Sequence, residues 1–151
     1  MLNKFVLVGY VMGEDRLKTF GEIKVSEIMV YNPLYTTPDE KISKTELLML
    51  RKNINGLPVV DDKMKVIGII TQRDIRLARF AISLESSKTT VKNLMTPEPY
   101  TVKENDTIKK ALEIMFENNI ERLPVIKDES NELIGLVLEK IILKKLLEFL
   151  K

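Results

Sequence analysis

The chain contains one motif twice. At an offset of 66 residues, VSEIM (25–29) falls on VKNLM (91–95), Pro33 on Pro99, Ile42 on Ile108, and NINGLPVV (53–60) on NIERLPVI (119–126). One added residue in the second copy moves the offset to 67, and GII (68–70) then falls on GLV (135–137). A period of this length marks supersecondary units that stack on one another. A unit of about 60 residues covers its own apolar surface poorly, so the copies are expected to share a core. The units run over 25–84 and 85–150, joined by SLESSKTT (83–90), with residues 1–24 as an N-terminal extension.

Each unit reads as strand, helix, strand, strand, helix. A short extended piece follows the proline (LYT, 34–36; YTV, 100–102). In the second unit Ile108, Ala111, Leu112, Met115 and Phe116 keep the spacing of a core-facing helical stripe. The first unit keeps Ile42, Thr45, Met49 and Leu50 in that register, with Glu46 interrupting it. TPDE (37–40) offers its helix a start, with a cap, an early proline and early carboxylates. Two apolar runs around a polar turn, LPVV-DDKMK-VIGII, predict an antiparallel pair. The fold class is therefore α/β: two β-α-β-β-α units related by a pseudo-twofold axis and packed through their sheets. That axis creates two equivalent clefts.

Composition removes several functions. With no cysteine and no histidine, disulfides, thiolate sites and every Ser-His or Cys-His arrangement are excluded. A metal site would have to be all-oxygen, and the carboxylates show no paired spacing, so the chain reads as a non-enzyme. A net charge of +2, with no basic stripe and no interleaved aromatics, argues against nucleic acid. FVLVGYVMG (5–13) is too short to span a bilayer and is followed by Glu14, Asp15 and Arg16; a packed strand or short helix in a cytoplasmic protein is expected. Tyr10, Tyr31 and Tyr35 are expected to be packing residues.

The copies differ at one place. GIITQRDI (68–75) carries Thr71 and Asp74 where GLVLEKII (135–142) carries Leu138 and Ile141. Two readings stand. [ST]-x-x-[DE] at a helix start is a capping box that needs no ligand. The same carboxylate, with two acceptor oxygens, also matches the adjacent hydroxyls of a ribose in bidentate fashion. The helix N-terminus favours a phosphate, and Arg73 can offer it a fork. A bare cap would be needed equally in both copies, but a cap is worth only about 1 kcal/mol, so its loss in one copy is tolerable.

The series V-x-x-[IL]-M, then Pro, then N-I-x-x-L-P-V, then G-[IL]-[IV]-T-x-x-D-I resembles the cystathionine β-synthase (CBS) domain pair, or Bateman module, over residues 25–150. Modules of this family accompany enzymes, inosine monophosphate dehydrogenase among them, and channels. The resemblance implies an adenosyl ligand between the repeats: AMP, ADP or ATP, or alternatively S-adenosylmethionine or methylthioadenosine. A third reading is a dimerising scaffold with no ligand. By family position the ligand contacts are Thr71, Arg73 and Asp74; Ile54, Asn55 and Gly56 bordering the base; and Pro99, Tyr100 and Arg122 from the second repeat. Gly56 also reads as a plain turn glycine, and Arg122 as a surface residue paired with Glu121 or Glu117. Arg76 and Arg79 read as a solvated face. The second cleft is expected to present Asn119, Glu121, Leu138 and Ile141 and to reject a ribose, since unpartnered hydroxyls cost roughly 1–3 kcal/mol each. Ile142, Leu143, Leu146, Leu147, Phe149 and Leu150 give the last helix an apolar surface suited to a homodimer, and a regulated partner protein is implied.

Overall fold

The apolar runs LPVV and VIGII form a strand pair in each repeat, but each pair is completed by the other repeat. The computed structural model describes residues 4–151, with side chains from residue 13 onward. Helix α1 (Lys4–Gly21) and a 3-10 turn (Val25–Glu27) lead into β1 (Val30–Tyr31). The first repeat continues with α2 (Ile42–Lys52), β2 (Gly56–Val60), β3 (Val66–Thr71) and α3 (Gln72–Ile82). The second supplies α4 (Val91–Leu94), β4 (Thr96–Pro97), β5 (Val102–Lys103), α5 (Ile108–Asn118), β6 (Arg122–Ile126), β7 (Leu133–Leu138) and α6 (Glu139–Leu150). The side chain of Tyr10 lies outside the described residues.

Two sheets result, in the orders β2-β3-β4 and β1-β7-β6-β5. Strand β1 of the first repeat pairs with β7 of the second, Val30 opposite Leu136. Reciprocally, β4 of the second pairs with β3 of the first, Thr96 opposite Ile69. The crossover recurs in the loops. The N–H groups of Val25 and Ser26 donate to the carbonyls of Asp106 (2.8 Å) and Glu104 (3.0 Å), while those of Val91 and Lys92 donate to Glu40 and Pro38, both at 2.9 Å. Each bond has its partner one repeat away, which is the signature of the pseudo-twofold axis. A bridge between Lys65 and Glu132 joins the two hairpin turns across that axis.

The exchange divides the core. One cluster gathers Ile42, Met49, Leu57, Val59, Ile70 and Ile75 with Val91 of the second repeat. The other gathers Val102, Ile108, Met115, Leu123, Val137 and Ile142 with Phe20, Val25 and Met29 from before and within the first. Phe20 meets Phe149 edge to face, at 5.3 Å between centroids, so α1 seals the end of α6.

Several expectations are corrected here. TPDE is a turn and not a helix start. Helix α2 begins at Ile42, because the Pro38 and Glu40 carbonyls are engaged by α4. Leu50 and Phe116 extend the helical stripes beyond the width a short sheet covers and stay exposed, Phe116 at 81%. Tyr31 and Tyr35 are exposed, not packed. In α6, Ile142 is buried and Leu146 and Phe149 lie against the core, leaving Leu143, Leu147 and Leu150 outside. Thr45 keeps its buried place by sharing a 3.1 Å hydrogen bond with Thr36. Glu46 interrupts its stripe for a reason: Arg79 of α3 grips both of its oxygens. Arg79 is therefore a strut between helices on an otherwise solvated face, its side chain 45% exposed. The guanidinium hydrogen bonds hold the Glu46 carboxyl below the ordinary carboxylate range against the opposing effect of burial.

Candidate functional site

The end of β3 fixes the candidate site. Gln72 N–H donates to the Asn55 carbonyl at 2.9 Å, and Gln72 Nε2 to the Ile54 carbonyl at 3.2 Å, which pins the start of α3 to the loop before β2. Thr71 caps α3: its hydroxyl accepts from the Asp74 N–H at 3.2 Å. Asp74 Oδ2 in turn accepts from the Thr71 N–H and the Thr71 hydroxyl, both at 2.8 Å. The capping box is thus formed in full.

That cap limits what else Asp74 can do. An oxygen taking two donors has both lone pairs engaged. Only Oδ1 stays outside any hydrogen bond among the described residues. With this cap in place Oδ1 is the oxygen left for a ligand, and the expected two-oxygen match to two hydroxyls would require Oδ2 to give up the Thr71 hydroxyl.

Around Asp74 lies a cleft of about 540 Å³. Asn55, Thr71, Arg73 and Asp74 line it from the first repeat, and Pro99, Tyr100 and Arg122 from the second. Ile54 and Gly56 do not; they line the opposite cleft. Gln72, Thr96 and Ile120 also line the Asp74 cleft without a sequence signal of their own, and so do Arg76, expected on a solvated face, and Asn119 and Glu121, expected in the second cleft. For Arg76 the signal was available, because it sits one helical step from Arg73 on the same face. For Asn119, Ile120 and Glu121 the signal was the pseudo-symmetry. Ile120 faces the first repeat's cleft as its counterpart Ile54 faces the second's, while Asn55 and Glu121, which follow them, line both.

Arg122 sits between the clefts and lines both. It is the repeat counterpart of Gly56, and it occupies the space that Gly56 leaves. A Cβ on Gly56 would overlap the Arg122 guanidinium, with Cζ at 3.0 Å. Burial pulls its pKa below the ordinary arginine value, while Glu121 and then Asp74 favour its charge. The alternative reading, a surface residue paired with Glu117 or Glu121, is not met: Arg122 is half-buried and forms no salt bridge among the described residues.

The second cleft is a space of about 630 Å³, lined by Leu138 and Glu121 but not by Asn119 or Ile141. Helix α6 starts without a side-chain cap at Leu138.

These features meet a known pattern. A family model for the CBS domain matches residues 25–80 and 91–148. The chain belongs to the CBS domain family. It is 36% identical to inosine-5'-monophosphate dehydrogenase of Methanocaldococcus jannaschii over 122 residues, 81% of this chain and 23% of that enzyme. It spans about a quarter of the length of such relatives and corresponds to their CBS region alone. A CBS domain pair solved in complex with 5'-methylthioadenosine and S-adenosyl-L-methionine shares 28% identity at a TM-score of 0.74, covering 85% of this chain and 98% of that one. CBSX2, solved in complex with AMP, reaches a TM-score of 0.76 over 85% of this chain and 99% of its own; at 22% identity it speaks to the fold alone. No helix among the described residues is long and apolar enough to cross a membrane.

Proposed function

We propose that this CBS pair is a regulatory module of a cytoplasmic protein. It takes an adenine nucleotide (AMP, ADP or ATP) in the Asp74 cleft and relays occupancy through a dimer or a partner protein, without catalysis of its own. One observation carries the reading: Asp74 keeps one oxygen out of its own cap in a cleft that also holds Arg73, Arg76 and Arg122. In this reading Oδ1 receives the ribose hydroxyls, Asn55 and the Pro99–Tyr100 backbone border the base, and the arginines meet the phosphate with charge-assisted forks. A second reading is favoured by the methylthioadenosine and S-adenosyl-L-methionine found in the 28%-identical CBS pair. Such ligands use the same carboxylate and need no arginine.

A thermal-shift series with AMP, ADP, ATP, S-adenosylmethionine and methylthioadenosine tests this on the native chain, Asp74→Asn and Arg122→Gln. Asparagine keeps the cap, as Asn93 does in α4 by accepting from Thr90 N–H at 3.1 Å and Thr90 Oγ1 at 2.8 Å. It replaces Oδ1 by an amide NH2, however, which removes the charged acceptor that the two hydroxyl protons require. The native chain should gain about 2.7 kcal/mol at a hundredfold excess over Kd, and Asp74→Asn should lose nearly all of it. Loss of the response in Arg122→Gln identifies a phosphate-bearing ligand; a retained response identifies methylthioadenosine chemistry. A flat series on the native chain leaves only a scaffold and ends the nucleotide reading.

The dimer would form through α3 and α6. Phe80 and Leu147 occupy equivalent repeat positions and are 86% and 61% exposed. Burying such side chains is worth roughly 1.5–3 kcal/mol each. Light scattering on Phe80→Glu/Leu147→Glu should show half the native mass; a native mass unchanged by both charges places the contact elsewhere.

A further inference from the structure

We propose that the second cleft is a separate site for an aliphatic carboxylate, with Arg122 receiving the head group. This inference needs no ligand in the Asp74 cleft, but it gives Arg122 a role that the nucleotide reading also claims, so the two occupants would compete for one guanidinium, and Leu138→Asp is the variant that touches this cleft alone.

The walls decide the body of the ligand. Val30, Leu34, Ile54, Leu136, Leu138 and Leu143 line a concave space of about 630 Å³, within the range of small-molecule sites. Val30, Leu34 and Leu143 remain 38%, 44% and 53% exposed. Aliphatic side chains held open to water around a cleft are stabilised by an apolar occupant. A sugar fits poorly. Where the other cleft has the hydroxyl of Thr71, this one has Leu138, and Ile141 at the Asp74 position is not on its surface.

Arg122 decides the head. Its guanidinium lies over Gly56, a residue that lines this cleft and not the other. It is half-buried, and burial works against its charge, yet no acceptor among the described residues binds it. A carboxylate placed there would satisfy the fork in bidentate fashion. The first turn of α6 borders the same space; it has no side-chain cap, and its Glu139 N–H donates to the Glu121 carbonyl at 2.9 Å. Glu121, Glu139 and Lys140 share the lining, so a multiply charged phosphate would be repelled by two carboxylates more strongly than a monoanion with an apolar tail.

Decanoate is a suitable probe and 1-decanol its uncharged control. Each is titrated into the full chain and followed by methyl resonances of Leu136 and Leu143, with Arg122→Gln and Leu138→Asp as variants. Aspartate at 138 is a favoured N-cap and should keep α6 folded. Decanoate should shift both leucines in the native chain, and its affinity should fall by about tenfold or more in either variant and for 1-decanol, the scale of one lost charge-assisted contact. Shifts confined to other methyls, or equal affinity for decanoate and decanol, overturn the assignment. So does an affinity unchanged by Arg122→Gln, or adenosine seated at Leu138. Shifts that track protein concentration without decanoate would give the cleft to a second copy and overturn it equally.

Discussion

Replacing Ile108 with alanine is expected to lower the unfolding free energy by about 2–5 kcal/mol, the cost of a large core cavity. Ile108 is fully buried at the first turn of α5. Its backbone N–H reaches the Ile23 carbonyl at 2.8 Å, so the backbone there is tethered and cannot readily close over the void. The core cluster it belongs to draws on two parts of the chain, Phe20 and Val25 before the first sheet and Val102 and Leu123 after the joint, so the cavity loosens both. A whole domain holds only about 5–15 kcal/mol in reserve. Ile42 is the counterpart, equally buried and tethered to the Thr89 carbonyl at 2.9 Å, and its alanine variant should cost a similar amount. Urea unfolding measures both. A loss below about 1 kcal/mol at Ile108 would mean that the site collapses freely, which a close-packed core does not allow.

The second large effect lies at the exchanged strands. Gly68 faces β4, and a Cβ there would come within 2.6 Å of Met95 Sδ and 3.1 Å of the Thr96 carbonyl oxygen. Gly135 faces β1 in the same way, with Met29 Sδ at 2.5 Å and the Val30 carbonyl oxygen at 3.1 Å. A methionine tip can move, but a carbonyl in a two-residue strand moves only with its strand. Gly68→Ala and Gly135→Ala should each cost about 1–3 kcal/mol, the range for overpacking. Hydrogen exchange should quicken in β4 for the first variant and in β1 for the second. Gly56→Ala is the control, since it displaces only the end of the Arg122 side chain. Equal destabilisation by all three alanines would refute the idea that the exchanged strands are what glycine accommodates.

Much of the architecture was readable because it is local. Alternating apolar runs around DDKMK specify a hairpin within a few residues, and β2 and β3 pair accordingly. The periodic rows of α2 and α5 put Ile42, Met49, Ile108, Ala111 and Met115 in the core. The rows ran too far at Leu50 and Phe116, because periodicity reports a face and not how much neighbouring surface there is to cover it. At the candidate site, Thr71, Arg73, Asp74, Pro99, Tyr100 and Arg122 converge on one cleft, and Arg76, whose spacing alone indicates a solvated face, joins them. Ile54 and Gly56 turn to the other cleft. A strand preceded by a loop does not announce which side of a pseudo-twofold axis that loop will face.

The two-copy organisation, the hairpins and the single surviving Thr-x-x-Asp could all be known from residue order, since each depends on neighbours close along the chain. Three things depended on the assembled molecule. The strand exchange sends Val25 and Met29 into one core and Val91 into the other. Asp74 divides its two oxygens between a cap and a cleft. Arg122 comes to rest over Gly56, between two clefts of different character. The first and the last are meetings of groups distant in sequence, and the Asp74 cap, though local, opens on a cleft that both repeats build; the outcome is decided by which packing leaves the least apolar surface exposed and the fewest polar groups unmatched, and that balance is struck only when both repeats are in place.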